Sequence, residues 1–315
     1  MTEPLRIILA KPLGFCAGVV RAIDIVEATL RQCDGPVYVR HEIVHNRTVV
    51  NALKAKGARF VDEIAEIPVG GVTIFSAHGV SREVEDQARA RQLDVIDATC
   101  PLVEKVHLQG RAYAKRGLDV ILVGHDDHAE VIGTRGQIDG RVHVVATVAD
   151  VDALVVQDPG KVAYITQTTL SVRDTREVIE ALKERFPAII GPDTRDICYA
   201  TQNRQIAVEK LAEKAQLILV IGSRNSSNSN RLRELALQAG VRSHLIDGPA
   251  DIDPQWLFGV DRIGLTAGAS APNHLVNETI ARLETFRDVV VETLDGIEET
   301  IRFRMPARLQ SRTAV

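Results

Sequence analysis

Three cysteines in this sequence share one local setting. Cys16 lies in KPLGFCAGVVRAIDIVEATL, Cys100 in DVIDATCPLVEKVHLQGRAYAKR and Cys198 in RDICYATQNRQIAVEKLAEKA. Each follows a short extended run and opens an amphipathic helical pattern. A helix N-terminus carries partial positive charge and free N–H groups, an environment that favours thiolate over thiol. Zinc fingers and ribbons use cysteine pairs about two to four residues apart, whereas these three are isolated. One thiolate per third of the chain suits a cluster with one iron left without a protein ligand. An open coordination position is what separates a catalytic metal site from a structural one. The competing reading of any lone cysteine is a small buried hydrophobe; recurrence at three helix starts favours ligation. Cys33, in RQCDGPVYV, ends a helix, has no counterpart in the other thirds and reads as an ordinary thiol.

Polar groups recur downstream of the cysteines. His45, His128 and Ser226 follow Cys16, Cys100 and Cys198 by 29, 28 and 28 residues, each just beyond an apolar run. A second apolar run in each third ends in SAHGVS with His78, TQTTLS with Thr168 and Thr169, or TAGASAP with Ser270. A histidine can hydrogen-bond an anionic oxygen and supply a proton near neutral pH. Glu130, two residues after His128, is the carboxyl group nominated as proton donor, because closure around a dianion raises a carboxyl pKa. A solvated loop glutamate is the plain alternative. In SSNSN, residues Ser226, Ser227 and Asn228 stand at a helix start, where backbone N–H groups bind phosphate. Ser and Asn are also the commonest helix caps, and Ser81 and Ser171 are read as caps alone. His107, His143, His244 and His274 are read as surface or satisfied core residues.

The elements that must carry these groups alternate between strand and helix. That order implies parallel sheets with helices on both faces, whose ligands bind beyond the carboxyl ends of the strands. The fold expected is α/β: three small parallel-sheet α/β domains in a pseudo-threefold arrangement around a central iron–sulfur site. Boundaries fall near residues 98 and 196. The first domain, 1–98, carries Cys16, His45 and His78. The second, 99–196, carries Cys100, His128, Glu130 and Thr168. The third, 197–284, carries Cys198, Ser226, Asn228 and Ser270. Residues 285–315 form an extension with two β-rich runs flanking an Asp295-Gly296 turn signal, expected to return to the first domain.

Composition excludes several classes. With 45% hydrophobic and 25% charged residues, the 315-residue chain has the balance of a globular protein. Aromatic residues make up only 4%, too few for a base-stacking surface, and a net charge of −4 without a basic stripe argues against nucleic acid. No run reaches the length of a membrane span, and MTEPLRIILAKPLG lacks the features of a signal peptide, so a cytoplasmic location is expected. Neither GxxxxGK[ST] nor a strand followed by GxGxxG is present, which disfavours ATP hydrolysis and a tightly bound dinucleotide.

Taken together, GFCAGV, VHN, SAHGV, DATCPLV, TQTTLS, DICYATQNRQ, GSRNSSNSNRL and TAGASAP resemble the 4-hydroxy-3-methylbut-2-enyl diphosphate reductases, the last enzymes of the methylerythritol phosphate route to isoprenoids. The resemblance runs from about residue 6 to about residue 304. It implies three α/β domains and one [4Fe-4S] cluster held by Cys16, Cys100 and Cys198, with one iron not ligated by protein and left for the substrate's hydroxyl. It further implies that His45, His78 and His128 contact the diphosphate, with Ser226, Ser227, Asn228 and Ser270 completing the cradle. Thr168 would hold the hydroxyl end and Glu130 would deliver protons. Two electrons and two protons would remove the hydroxyl of this allylic diphosphate as water, with a ferredoxin or flavodoxin as donor.

Three positions depart from the family pattern. Leu13 and Val20 stand where PRGFCAGVDR is common, and Ala129 replaces the proline between His128 and Glu130. None removes a proposed ligand or contact. Two other functions suit a cysteine-held cluster: a hydro-lyase without net redox, and a non-enzymatic redox sensor. A sensor needs no diphosphate cradle, and a hydro-lyase needs no external reductant.

Overall fold

The computed structural model describes residues 3–192 and 195–310. Strand β1 (Leu5–Leu9) leads through Cys16 into α1 (Ala17–Gln32), followed by β2 (Val37–Arg40), α2 (Arg47–Ala55), β3 (Ala58–Val61), β4 (Val72–Phe75), α3 (Arg82–Ala90) and β5 (Asp94–Asp97). Cys100 then opens α4 (Pro101–Lys115), before β6 (Asp119–Val123), α5 (Ala129–Gly136), β7 (Val142–Val145), α6 (Val148–Ala153), β8 (Val162–Thr166) and α7 (Val172–Arg185). Cys198 opens α8 (Tyr199–Ala212), followed by β9 (Leu217–Ile221), α9 (Ser227–Gln238), β10 (Arg242–Ile246), β11 (Arg262–Ala267), α10 (Asn273–Glu284) and β12 (Val289–Thr293). All three cysteines therefore immediately precede a helix, and Cys100 is the N-cap of α4. Ser81 and Ser171 are N-caps whose side chains accept the N–H of Val84 and Asp174.

Three parallel sheets result, ordered β3-β2-β4-β5, β7-β6-β8 and β10-β9-β11-β1-β12. Their central strands are continuous apolar runs, VILV in β6 and LILVI in β9, buried along their whole length. Such runs suit strands covered by helices on both faces. In β9, Leu217, Leu219 and Ile221 enter one hydrophobic cluster, while Ile218 and Val220 enter another on the opposite face.

A common topology underlies the three sheets. Each has a central strand, then a neighbour on one side, then a neighbour on the other, then a fourth segment that leads to a cysteine. In the first sheet the fourth segment is β5, paired with β4 and followed by Cys100. In the second it is an isolated parallel bridge from Ala163 in β8 to Ile190, upstream of Cys198. In the third it is β1, paired with β11 and followed by Cys16. Strand β1 thus joins the sheet built from residues 217–267, and sheet membership does not follow the linear boundaries strand for strand. The tail behaves differently on its two sides. Val289–Thr293 forms β12, parallel to β1, whereas residues 294–306 form no strand, so the Asp295-Gly296 signal does not make a hairpin.

The chain divides into two compact units. One takes residues up to Ala17, His45–Asn51 and Tyr199–Ile301; the other takes Gly18–Val44, Ala52–Cys198 and the chain from Arg302. Within the second, Arg308 donates to both carboxylate oxygens of Asp94 at 2.5 and 2.8 Å. No helix among the described residues is long and apolar enough to cross a membrane.

Candidate active site

Strand ends and helix starts place the chemical groups, as parallel topology requires. In the unit containing β6 and β8, His128 is the N-cap of α5, its Nδ1 accepting the N–H of Glu130 at 3.1 Å. That cap orients the first turn and turns the Glu130 side chain inward, where it is only 3% exposed. Glu130 Oε1 accepts the backbone N–H of Thr168 at 2.6 Å, and Oε2 accepts its hydroxyl at 2.9 Å. Burial pushes the Glu130 carboxyl up to about 7, opposed by the Thr168 hydrogen bonds and assisted by the charge of Asp196. Desolvation wins because a charge without surrounding water costs more than two hydrogen bonds return. The carboxyl group is therefore enclosed and titrates near neutral pH, unlike a solvated loop glutamate.

His78 lies in the same unit. Its ring stands edge-on to that of His128 with centroids 6.1 Å apart, and its Nδ1 lies 3.4 Å from Ser76 Oγ. Gly79, at φ +80°, makes the turn after His78, and a Cβ there would meet the buried ring of His107. His107 itself is a core histidine, though not a satisfied one: its Nε2 is buried without a hydrogen-bond partner, and its pKa is lowered to about 4 by burial and by Arg111. Cys100 donates its N–H to the carbonyl of Ala77, and Cys198 donates its own to the carbonyl of Thr168, both at 3.0 Å. Both cysteines are thereby fastened to the loops bearing His78 and Thr168.

The other unit repeats the arrangement with different residues. Cys16 donates its N–H to the carbonyl of Ala269 at 3.0 Å, beside Ser270, which donates its hydroxyl to the carbonyl of His45 at 2.9 Å. Ser226 is the N-cap of α9 and accepts the N–H of Ser229. Its capping role is therefore real. Asn228, in the first turn of α9, accepts the N–H of Ala269 through Oδ1 at 2.9 Å. Its Nδ2 is buried with no hydrogen-bond partner, a donor aimed at something other than protein. Close approach of α9 to the sheet depends on Gly222 and Gly268, where any Cβ would overlap Ser229 Oγ.

The expected site residues thus fall into two groups: His78, His128, Glu130 and Thr168 with Cys100 and Cys198, and His45, Ser226, Ser227, Asn228 and Ser270 with Cys16. All four cysteines are of intermediate exposure and none is in a disulfide. Cysteines held through their own backbone N–H groups at helix starts are soft sulfur donors of the kind suited to an iron–sulfur cluster. Among the described residues no three His, Cys, Asp or Glu side chains are grouped for a single metal ion.

The departures have physical explanations. Leu13 is partly buried and packs against the apolar cluster of the third sheet. Val20 is exposed on α1, and Ala129 occupies the first helical position of α5, where alanine serves in place of proline. Sequence reading passed over Asp196, which is buried and pairs with Lys105 at 3.1 Å; burial raises its pKa and Lys105 opposes the rise. Its position two residues before Cys198 was the one local signal.

A buried carboxyl group near neutrality, with histidines at strand ends and cysteines at helix starts, sits in an α/β fold. The profile of the LytB protein family matches residues 7–284, and the chain belongs to that family. It is 58% identical over 306 residues to the 4-hydroxy-3-methylbut-2-enyl diphosphate reductase of Zymomonas mobilis, covering 97% of this chain and 90% of that protein. It is 56% identical to the protein of the same name from Burkholderia pseudomallei, covering 98% and 99%. Among solved structures it is similar to the E-1-hydroxy-2-methyl-but-2-enyl-4-diphosphate reductase of Plasmodium falciparum, with a TM-score of 0.92, 37% identity and coverage of 98% and 97%.

Proposed function

We propose that the chain reductively removes the hydroxyl group of 4-hydroxy-3-methylbut-2-enyl diphosphate. Two electrons and two protons yield water and either isopentenyl or dimethylallyl diphosphate. The observation that carries this reading is the enclosed Glu130 carboxyl, held near neutrality against Thr168. Cleaving a C–O bond needs an acid for a poor leaving group, and a group with a pKa near the working pH serves best.

Cys16, Cys100 and Cys198 are the proposed ligands of one [4Fe-4S] cluster with one iron not ligated by protein. When bound, that cluster supplies the electrons and a Lewis-acidic iron for the substrate's hydroxyl end. Glu130 Oε1 is committed to the Thr168 N–H, so a proton is taken up on Oε2, which then donates to Thr168 Oγ while the threonine hydroxyl turns its own proton away from the carboxyl group. From there it passes to the leaving oxygen through the threonine hydroxyl. His45, His78, His128, Ser226, Ser227, Asn228 and Ser270 are the proposed diphosphate contacts. The orphaned Nδ2 of Asn228 supports that assignment, since a charged acceptor would satisfy it. A ferredoxin- or flavodoxin-type protein in the cytosol would supply electrons.

Anaerobic turnover of the diphosphate substrate, with and without a low-potential donor, tests the reading. Product formed only with the donor is the expected result. Product formed equally without it indicates a hydro-lyase, and no product under either condition leaves a sensor.

A further inference from the structure

The segment before each cysteine is gripped by a basic side chain from the helix that follows the preceding cysteine. Arg21, five residues after Cys16 on α1, donates through Nη1 to the carbonyls of Thr99 at 3.0 Å and Ala98 at 3.3 Å, just before Cys100. Lys105, five residues after Cys100 on α4, donates to the Arg195 carbonyl at 3.3 Å and to Asp196 Oδ1 at 3.1 Å, just before Cys198. Arg204, six residues after Cys198 on α8, donates through Nε and Nη2 to the Gly14 carbonyl at 3.1 and 2.7 Å and through Nη2 to Phe15 at 3.5 Å, just before Cys16. The order closes on itself: the first cysteine's helix holds the second, the second's holds the third, and the third's holds the first.

The Arg204 contacts are costly to build. Arg204 is fully buried and is balanced by Glu299, whose carboxylate accepts from Nη1 and Nη2 at 3.1 to 3.2 Å. A buried guanidinium is tolerated only when paired and hydrogen-bonded, and a packing role alone would be met by an apolar side chain. Arg21 is held on its far side by the Arg304 carbonyl at 2.9 Å, and its guanidinium lies within electrostatic reach of Cys100. Each cation therefore does two things: it fixes the backbone that aims a thiol, and it sets a positive charge beside the segment bearing it.

We infer that Arg21, Lys105 and Arg204 are a set of positioning residues for the three cysteine ligands. This rests on the proposed cluster. Groups that orient a metal's ligands without touching the metal typically change its affinity by about 10–100-fold, and neighbouring charge tunes cluster potential.

The test uses Arg21→Gln, Lys105→Gln and Arg204→Gln, with the charge-keeping Arg21→Lys, Lys105→Arg and Arg204→Lys. Each neutral variant should release iron to a chelator about ten-fold faster or more. Its midpoint potential should move to more negative values, because the reduced cluster loses a stabilising positive charge. Charge-keeping variants should restore the potential. Arg204→Lys should still lose iron quickly, since an ammonium cannot reproduce the guanidinium fork. Hydrogen exchange of cluster-free protein supplies a readout independent of the metal: the amides of Cys100, Cys198 and Cys16 should exchange faster in the Arg21, Lys105 and Arg204 variants respectively. Wild-type iron release and potential in the neutral variants, with unchanged amide exchange, overturn the inference. Wild-type protein that holds no cluster overturns the proposed function instead, and the exchange data still decide whether the clamps exist.

Discussion

At the scale of the residue, Glu130 links geometry to pH. Its carboxyl group titrates near 7 when folded and near the ordinary 4.5 when unfolded. Between those values the folded chain keeps a proton that the unfolded chain has released. Stability therefore falls as pH rises from about 4.5 to about 7 and stays lowered above that range. Glu130→Gln removes this slope while keeping an acceptor for the Thr168 N–H. Its melting temperature should match wild type near pH 4.5 and exceed it increasingly up to pH 7, and a pH-independent offset would contradict the assignment. Turnover in the same variant should drop by about 10²–10⁴-fold with cluster absorbance intact, as for a lost general acid. The place of Glu130 after a strand-end histidine was legible in the sequence, whereas its enclosure was weighed there against a solvated loop glutamate and is decided by the fold. Thr168 as the partner of both its oxygens was not, because the two residues lie 38 positions apart and meet only across the ends of β6 and β8. The basic clamps were hidden for the same reason, with partners 77, 91 and 190 positions away.

At the scale of the element, the approach of α9 to its sheet decides where Asn228 points. Ser229 Oγ donates to Ser226 Oγ at 3.0 Å and sits against Gly222 and Gly268 at the ends of β9 and β11. Gly268→Ala would force the helix outward, an overpacking cost of about 1–3 kcal/mol. The loss should appear as a lower denaturation midpoint and a raised KM for the diphosphate substrate. Adding Ser229→Ala should recover part of both, because it removes the atom in the way. A double variant no better than Gly268→Ala would show that the helix position is not set by this contact. Elements of this kind were readable in advance: apolar runs ending in polar loops gave the strands, and Ser81 and Ser171 gave helix starts. The second run of the tail misled, because residues 297–304 join no sheet despite their β-propensity.

At the scale of the molecule, one cysteine follows the fourth segment of each sheet, and the fourth cysteine follows none. Cys16→Ser, Cys100→Ser and Cys198→Ser should each abolish most activity and bleach the visible absorption of anaerobically purified protein. Cys33→Ser should do neither; it ends α1, with its N–H on the Thr29 carbonyl. If Cys33→Ser loses colour while one of the other three keeps it, the ligand set is wrong. The threefold repeat was visible in the spacing of cysteines and polar loops, but its closure was not. Linear boundaries assigned β1 to the first third, and only pairing with β11 reveals that the third sheet borrows it.

That borrowed strand has a consequence for synthesis. A chain emerging from the ribosome delivers Leu5–Leu9 first and the neighbours of that strand last, at Arg262–Ala267 and Val289–Thr293. Until then β1 has no ladder, and Cys16 has no Ala269 carbonyl to hold it. Domains otherwise fold in order of emergence. Here the N-terminal thiol waits for the far end of the chain, so iron delivered during translation would meet an unformed ligand. Nascent chains stalled before residue 260 should leave residues 5–17 open to protease, and chains released at full length should protect them. Protection in the stalled chains would show that the strand finds another partner early.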